Sequence, residues 1–253
     1  MFSNAIVRRP CPLITDGLTT ASLGKPDYEL ALVQHSRYIE ALRQCGLEVK
    51  ILDKADKFPD STFIEDVAVC TPLCAIITRP GAESRRGEIS GMRQVLEEYY
   101  DAIEEIRYPG TLEGGDIMKS GNSYYIGISE RTNNEGAIQL AKILSKYGMK
   151  AITIPVRNLL HLKSGVSYLD KNDLLITSNL THLTEFRKFN MIPVDPPENY
   201  AANSLWINGT VLVPEGFPAT HERLEKAGYK TVALNVSEFR KLDGGLSCLS
   251  LRF

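Results

Sequence analysis

Short apolar runs alternate with longer amphipathic ones along this chain, and the alternation repeats. Segments such as DVAVC, CAIITRP, SYYIGIS and KAITIPV read as strands, whereas NEGAIQLAKILSKYG and ATHERLEKAG space their apolar residues as helices do. A unit of strand, turn, strand, helix, strand fits four times. The first copy holds DVAVC, CAIITRP, a helix near GEISGMRQVLEEYY, and AIEEIRYP. The second holds GDIMK, SYYIGIS, NEGAIQLAKILSKYG and KAITIPV. The third holds GVSYLD, LLITS, a helix near THLTEFRKF, and MIPV; the fourth holds SLWI, TVLVP, ATHERLEKAG and KTVALN. Turn residues agree with this division. Ser120-Gly121-Asn122, Lys171-Asn172-Asp173 and Asn208-Gly209 separate the paired strands, and Gly148 and Gly228 stand where helix C-caps belong.

A fifth copy forms if the two ends are joined. CLSLRF then supplies its first strand, NAIVRRP its second, YELALVQHSRYIEALRQCG its helix and LEVKILD its last strand. Five equivalent units closed by the termini predict a ring about a central axis, an arrangement that also hides the strand edges. No linker or low-complexity stretch divides the chain, so residues 1–253 are expected to form one domain.

Composition narrows the function classes. The net charge of −2, with Lys and Arg scattered, gives no basic surface for nucleic acid or membrane. No apolar run approaches the roughly 18 residues that read as a membrane span. MFSNAIVRRP lacks the apolar core of a secretory leader. Five sparse cysteines, an odd number, point to reduced thiols and a cytoplasmic location. Cys70 and Cys74 resemble half a zinc site, but no second close pair of ligands follows, and a strand and turn explains them better.

The ring prediction gives meaning to the residues just before each first strand. These are Glu65-Asp66, Glu113-Gly114-Gly115-Asp116, His161, Asn203 and Cys248. Successive separations from Glu65 are 48, 48, 42 and 45 residues, so the positions are equivalent in successive units. In a ring they converge on the axis. Each alone has an ordinary explanation: a packed cysteine, a buried histidine, a carboxylate closing a glycine turn, a solvated acidic pair. Convergence of all of them favours an active site. His35, His182 and His221 fall in or beside helical segments and read as structural or surface residues.

Six motifs then identify a resemblance. DGLTTASLGKPDY (Asp16–Tyr28), FPDSTFIED (Phe58–Asp66), RPGAESRRGE (Arg79–Glu88), LEGGDIM (Leu112–Met118), LLHLKSG (Leu159–Gly165) and DGGLSC (Asp243–Cys248) closely resemble the dimethylarginine dimethylaminohydrolases, particularly bacterial ones. The resemblance covers essentially the whole chain. It implies a five-bladed α/β propeller, in agreement with the repeat. It also implies Cys248 as nucleophile, His161 as proton donor and Glu113 as the carboxylate orienting the histidine. Glu65 and Asp66 are implied to hold the substrate's polar end, with Asp66 gripping the guanidinium. Arg85 and Arg131 would meet the α-carboxylate, and Leu18, Asp60 and Leu242 would complete the substrate site, the leucines through backbone carbonyls. Gly114 departs from the expected pattern, in which a small side chain is anticipated.

The implied chemistry suits these residue types. A guanidinium is planar and resonance-stabilised, so a carboxylate can fix its plane through paired hydrogen bonds while a thiolate adds to its carbon. A histidine can protonate the departing amine and later activate water. No cofactor or metal is required; at most, Cys248 and His161 would capture adventitious zinc as an inhibitor. The implied partner is methylated arginine as a small-molecule substrate, with a homodimer as the only macromolecular association left open. Arginine deiminase or amidinotransferase chemistry would use nearly the same residues. A non-catalytic binding protein on the same ring fold is a further alternative, though it would have no need to keep cysteine and histidine together.

Overall fold

The computed structural model describes residues 1–253. Its strands form five separate three-stranded sheets with one common plan. In each sheet the central strand pairs antiparallel with the strand before it and parallel with the one after it. The second unit shows the plan. Ile117–Ser120 pairs antiparallel with Ser123–Ile128, which pairs parallel with Lys150–Pro155. The same order recurs in Ala68–Cys70, Ala75–Ile77 and Ile103–Glu105, in Val166–Tyr168, Asp173–Thr177 and Asn190–Val194, and in Leu205–Ile207, Thr210–Pro214 and Lys230–Leu234.

The fifth unit does join the chain ends. Asn4–Arg8 pairs antiparallel with Leu251–Arg252 through Ala5 and Ile6, and parallel with Glu48–Leu52. First strands of neighbouring units touch: Leu251–Arg252 meets Ala68–Cys70, and Val166–Tyr168 meets both Ile117–Ser120 and Leu205–Ile207. The five repeated α/β units therefore adopt the expected propeller-like arrangement. No helix is long and apolar enough to cross a membrane.

The tight hairpins follow from local chemistry. Asn208 and Gly209 both take positive φ, 47° and 93°, the combination a two-residue turn with strand-compatible twist requires. Helices fill the parallel crossovers where capping and periodicity support them. Tyr28–Gln44 is capped by Asp27, whose side chain accepts from Leu30 N at 2.8 Å, and it buries Tyr38, Ile39 and Leu42. Asn133 caps Asn134–Lys146 in the same way, and that helix buries Ala137, Leu140 and Leu144. Full burial of such side chains stabilises by roughly 1.5–3 kcal/mol each. Pro218–Lys226 is the shorter equivalent in the fourth unit.

Two helix expectations need correction. The segment near GEISGMRQVLEEYY divides into a 3-10 stretch, Glu83–Ile89, and a short α-helix, Met92–Glu97, with Gly91 at φ 77° between them. The segment near THLTEFRKF forms only a 3-10 turn, Thr184–Phe186. It is too short and too rich in Thr and aromatic residues to nucleate an α-helix. Phe186 and Phe189 instead pack onto Tyr125 of the preceding unit.

Candidate active site

A short 3-10 turn precedes the first strand of every unit, and these turns carry the polar residues. Glu65 and Asp66 lie in Ile64–Val67. Glu113 immediately precedes Gly114–Asp116, His161 immediately precedes Leu162–Ser164, and Cys248 lies in Ser247–Leu249. Asn203 follows Pro196–Ala202. Turn packs against turn across the units. The approach is close enough that a Cβ on Gly114 would lie 1.9 Å from the Glu65 carbonyl oxygen. Position 114 therefore has no room for the small side chain anticipated from the sequence. A Cβ on Gly115 would likewise sit 2.6 Å from His161 Nδ1.

His161, Glu113 and Asp66 form a buried acid–base group. Glu113 is fully buried, and its Oε2 lies 2.7 Å from His161 Nε2. Glu113 Oε1 accepts from Ala82 N at 3.2 Å and lies 3.8 Å from Arg131 Nη1. Asp66 Oδ1 accepts from Gly115 N at 2.8 Å, while Oδ2 pairs with Arg85 Nη1 at 2.7 Å. One donor atom from each of Asp66, Glu113 and His161 lies within 4.8 Å of the other two. Their bonds to Gly115, Arg85, Ala82 and one another fit an acid–base arrangement.

Charge and burial tune these groups differently. Burial opposes the His161 imidazolium, but Asp66, Asp116 and Glu113 outweigh it and raise the pKa to about 9. Burial also opposes ionised Asp66, yet His161 and Arg85 hold this carboxyl well below its ordinary range. Burial pushes the Cys248 thiol up to about 12, and Glu65 and Asp66 add to that rise. The Gly245 N–H, 3.4 Å from Cys248 Sγ, and the Lys163 charge oppose it only in part. The surrounding charges thus favour the imidazolium of His161, whereas burial and the neighbouring carboxylates favour the neutral thiol of Cys248.

The remaining expected residues are held around this group. Asp60 is buried and accepts from Leu18 N at 3.0 Å. Leu18 lies in an exposed segment whose next residues, Thr19 and Thr20, bond to Lys241 O and the Asp243 carboxylate. That links it to the loop carrying the buried Leu242. The half-buried Arg131 reaches towards Glu113. Arg85 is buried more deeply than a carboxylate-binding role suggests. Its Nε and Nη2 engage Glu88, Nη2 also meets Phe63 O, and one Nη1 N–H goes to Asp66. Only the second Nη1 N–H remains for a substrate.

Glu65 also differs from its expected place at the substrate's polar end. Lys163 and Arg252 each approach its Oε1 at 2.5 Å, and Ser247 Oγ donates to Oε2 at 2.9 Å. These four residues line a cavity of about 650 Å³ that none of Cys248, His161, Glu113 and Asp66 reaches. Glu65 thus braces the site from behind. Asn203, which carries no expected role, is a second brace. Its Nδ2 donates to Lys163 O and Ser247 Oγ, and its Oδ1 accepts from Ser247 N. Equivalent spacing marked both positions, but spacing does not say which way a side chain turns. Of the other histidines, His35 is buried, His182 is exposed and His221 bonds Thr231 at a half-buried surface.

The chain is similar to proteins of known family. The profile described as "N,N dimethylarginine dimethylhydrolase, eukaryotic" matches residues 23–180. The N(G),N(G)-dimethylarginine dimethylaminohydrolase of Pseudomonas aeruginosa is 47% identical over the full length of both chains. That of Streptomyces coelicolor is 39% identical, covering 98% of this chain and 96% of the relative. A solved structure of the P. aeruginosa enzyme, a cysteine-to-serine mutant complexed with citrulline, superimposes with TM-score 0.99 at 46% identity over all of both chains. A solved dimethylarginine dimethylaminohydrolase, a histidine-to-glycine variant in an adduct with S-methyl-L-thiocitrulline, gives 0.98 at 46% identity over all of both chains. The N-terminal domain of the cyanobacterial arginine dihydrolase ArgZ shares the fold at TM-score 0.88, with 19% identity, over 98% of this chain and 97% of that domain. With identity extending from end to end and a backbone that follows the solved enzymes, the chain belongs to the dimethylarginine dimethylaminohydrolase family.

Proposed function

We propose that this chain, acting as a single catalytic domain, hydrolyses Nω-methylated arginines to citrulline and dimethylamine or methylamine. The observation that carries the reading is the buried His161–Glu113 pair in a chain 47% identical throughout to a named dimethylarginine dimethylaminohydrolase. Asp66 receives the planar guanidinium. Asp60 and the backbone carbonyls of Leu18 and Leu242 hold the substrate's amino-acid end, with Arg131 on its carboxylate and Arg85 holding Asp66 in place. The bound cation offsets Asp66, which lets Cys248 release its proton to solvent.

The thiolate then adds to the guanidinium carbon. As the tetrahedral adduct collapses, the carbon–nitrogen bond to the methylated amine breaks and His161 supplies that amine's proton. A thiouronium remains on Cys248. His161, now neutral, takes a proton from water as the oxygen adds to the same carbon. The carbon–sulfur bond breaks, the adduct's remaining hydroxyl proton passes to solvent, neutral citrulline leaves and the thiolate is restored. One water is consumed and one amine is released.

Five free cysteines suit a reducing, cytoplasmic setting. Side-by-side assay of dimethylarginine, monomethylarginine, arginine and agmatine tests the substrate class. Citrulline from the methylated arginines is expected; turnover of arginine alone would overturn the proposal in favour of deiminase chemistry.

A further inference from the structure

LEGGD contains a second acid besides Glu113, and the reaction as described makes no direct use of it. Asp116 is fully buried. Its Oδ1 accepts from Leu162 N at 2.9 Å, the peptide N–H directly after His161. Its Oδ2 accepts from Ser129 Oγ at 2.7 Å. Ser129 Oγ in turn accepts from Arg131 N at 3.0 Å and Thr132 N at 3.1 Å. Thr132 Oγ1 accepts from Glu113 N at 3.1 Å, which closes the connection. One buried carboxylate therefore links the backbones that carry His161, Arg131 and Glu113. The neighbouring strand makes space for it: a Cβ on Gly127, inside Ser123–Ile128, would lie 2.7 Å from Asp116 Oδ1. Glycine inside a strand is unfavourable unless a close approach requires it.

We infer that Asp116 is a positioning residue for the acid–base centre, fixing His161 and the Arg131 loop in register and placing a negative charge behind the imidazole. A buried carboxylate without a counter-ion is costly, and here a protonated His161 is a natural counter-charge. Burial raises the Asp116 pKa, and His161 acts against that rise. The other acids facing His161 are Glu113 and Asp66. Arg131 lies near Glu113, Arg85 is paired with Asp66, and Lys163 is spent on Glu65. The C-terminal loop brings Cys248, neutral until guanidinium binds. Asp116 is thus an acid facing His161 that has no arginine or lysine partner of its own.

The inference rests on the proposed role of His161 as general acid. Its test is the pH profile of kcat/KM for asymmetric dimethylarginine in the wild type, Asp116→Asn and Ser129→Ala. In Asp116→Asn the amide oxygen can still accept from Leu162 N while the charge is lost. Its alkaline limb, set by His161, should move down by about one pH unit. Ser129→Ala keeps the charge but releases Arg131 N and Thr132 N. Its KM should rise several-fold with the alkaline limb in the wild-type position. An unmoved limb in folded Asp116→Asn, whatever its melting temperature, would reduce Asp116 to a structural residue and overturn the inference. If Asp116→Asn does not fold, Ser129→Ala and Thr132→Val decide. Raised KM in both supports the inference, and unchanged KM overturns it. Turnover surviving in His161→Gly would instead overturn the underlying role of His161, so the two failures are distinguishable.

Discussion

At the scale of single residues, the sequence indicated which side chains converge but not how each spends its hydrogen bonds. Arg85 illustrates the gap. The resemblance pointed it at a substrate carboxylate, whereas most of its guanidinium is engaged by Asp66, Glu88 and Phe63 O. Removing it would leave two buried carboxylates unpaired, and breaking such a pair costs about 3–5 kcal/mol. Arg85→Ala should therefore impair agmatine and dimethylarginine alike and lower the melting temperature. Arg131→Ala should discriminate, costing dimethylarginine about ten- to a hundredfold in kcat/KM, the loss of one charged hydrogen bond, and agmatine much less. Comparing the two substrates on both variants checks this; selectivity in Arg85→Ala instead would reassign the carboxylate contact. Cys248 belongs to the same scale. Burial and the Glu65 and Asp66 charges keep its thiol protonated, so inactivation by iodoacetamide should still be rising through pH 9. A non-hydrolysable guanidino ligand that leaves the sulfur accessible should shift that curve towards acid. An apparent pKa below 7 without ligand would contradict the substrate-dependent activation described above.

At the scale of elements, the strands and turns were legible because their signals are local. Asn208-Gly209 dictates its own hairpin, and alternating apolar residues dictate their own faces. The THLTEFRKF segment was not legible as a 3-10 turn, because its outcome depends on Phe186 and Phe189 meeting Tyr125 from another unit. The 3-10 turns at the axis were equally hidden. Their shape is set by the distance between units, which sequence periodicity does not contain. Gly114 gives the clearest test. Gly114→Ala forces a methyl against the Glu65 carbonyl, and overpacking of this kind costs about 1–3 kcal/mol. Thermal unfolding should show a lower melting temperature, with kcat reduced because Glu65 and Asp66 shift together. A variant of wild-type stability and rate would mean that the two turns are not in fixed contact.

At the scale of the whole molecule, the joined termini and the repeat were readable from the apolar pattern alone, while the charge balance of the assembled axis was not. That balance has a consequence for stability. The folded pKa of His161, about 9, exceeds the value near 6.5 of an unfolded histidine. Its stabilising contribution is complete below pH 6.5 and is lost as pH rises through 9. Cys248 acts in the same direction above about pH 8.5, because the unfolded thiol ionises there while the folded one does not. Urea midpoints should therefore fall steadily from pH 6.5 to 10, and His161→Asn should flatten the first part of that fall. A stability that rises across this window would contradict the assigned proton positions. The function proposed for the axis is that of a cysteine-dependent catalytic centre for methylated guanidines. The most direct measurement is citrulline release from asymmetric dimethylarginine by the wild type, Cys248→Ser and His161→Gly, read together with intact-protein mass. The account predicts citrulline from the wild type only, no adduct on Cys248→Ser, and a covalent adduct on His161→Gly with an analogue whose leaving group needs no proton. Citrulline formation by Cys248→Ser, or an adduct on its chain, would contradict it.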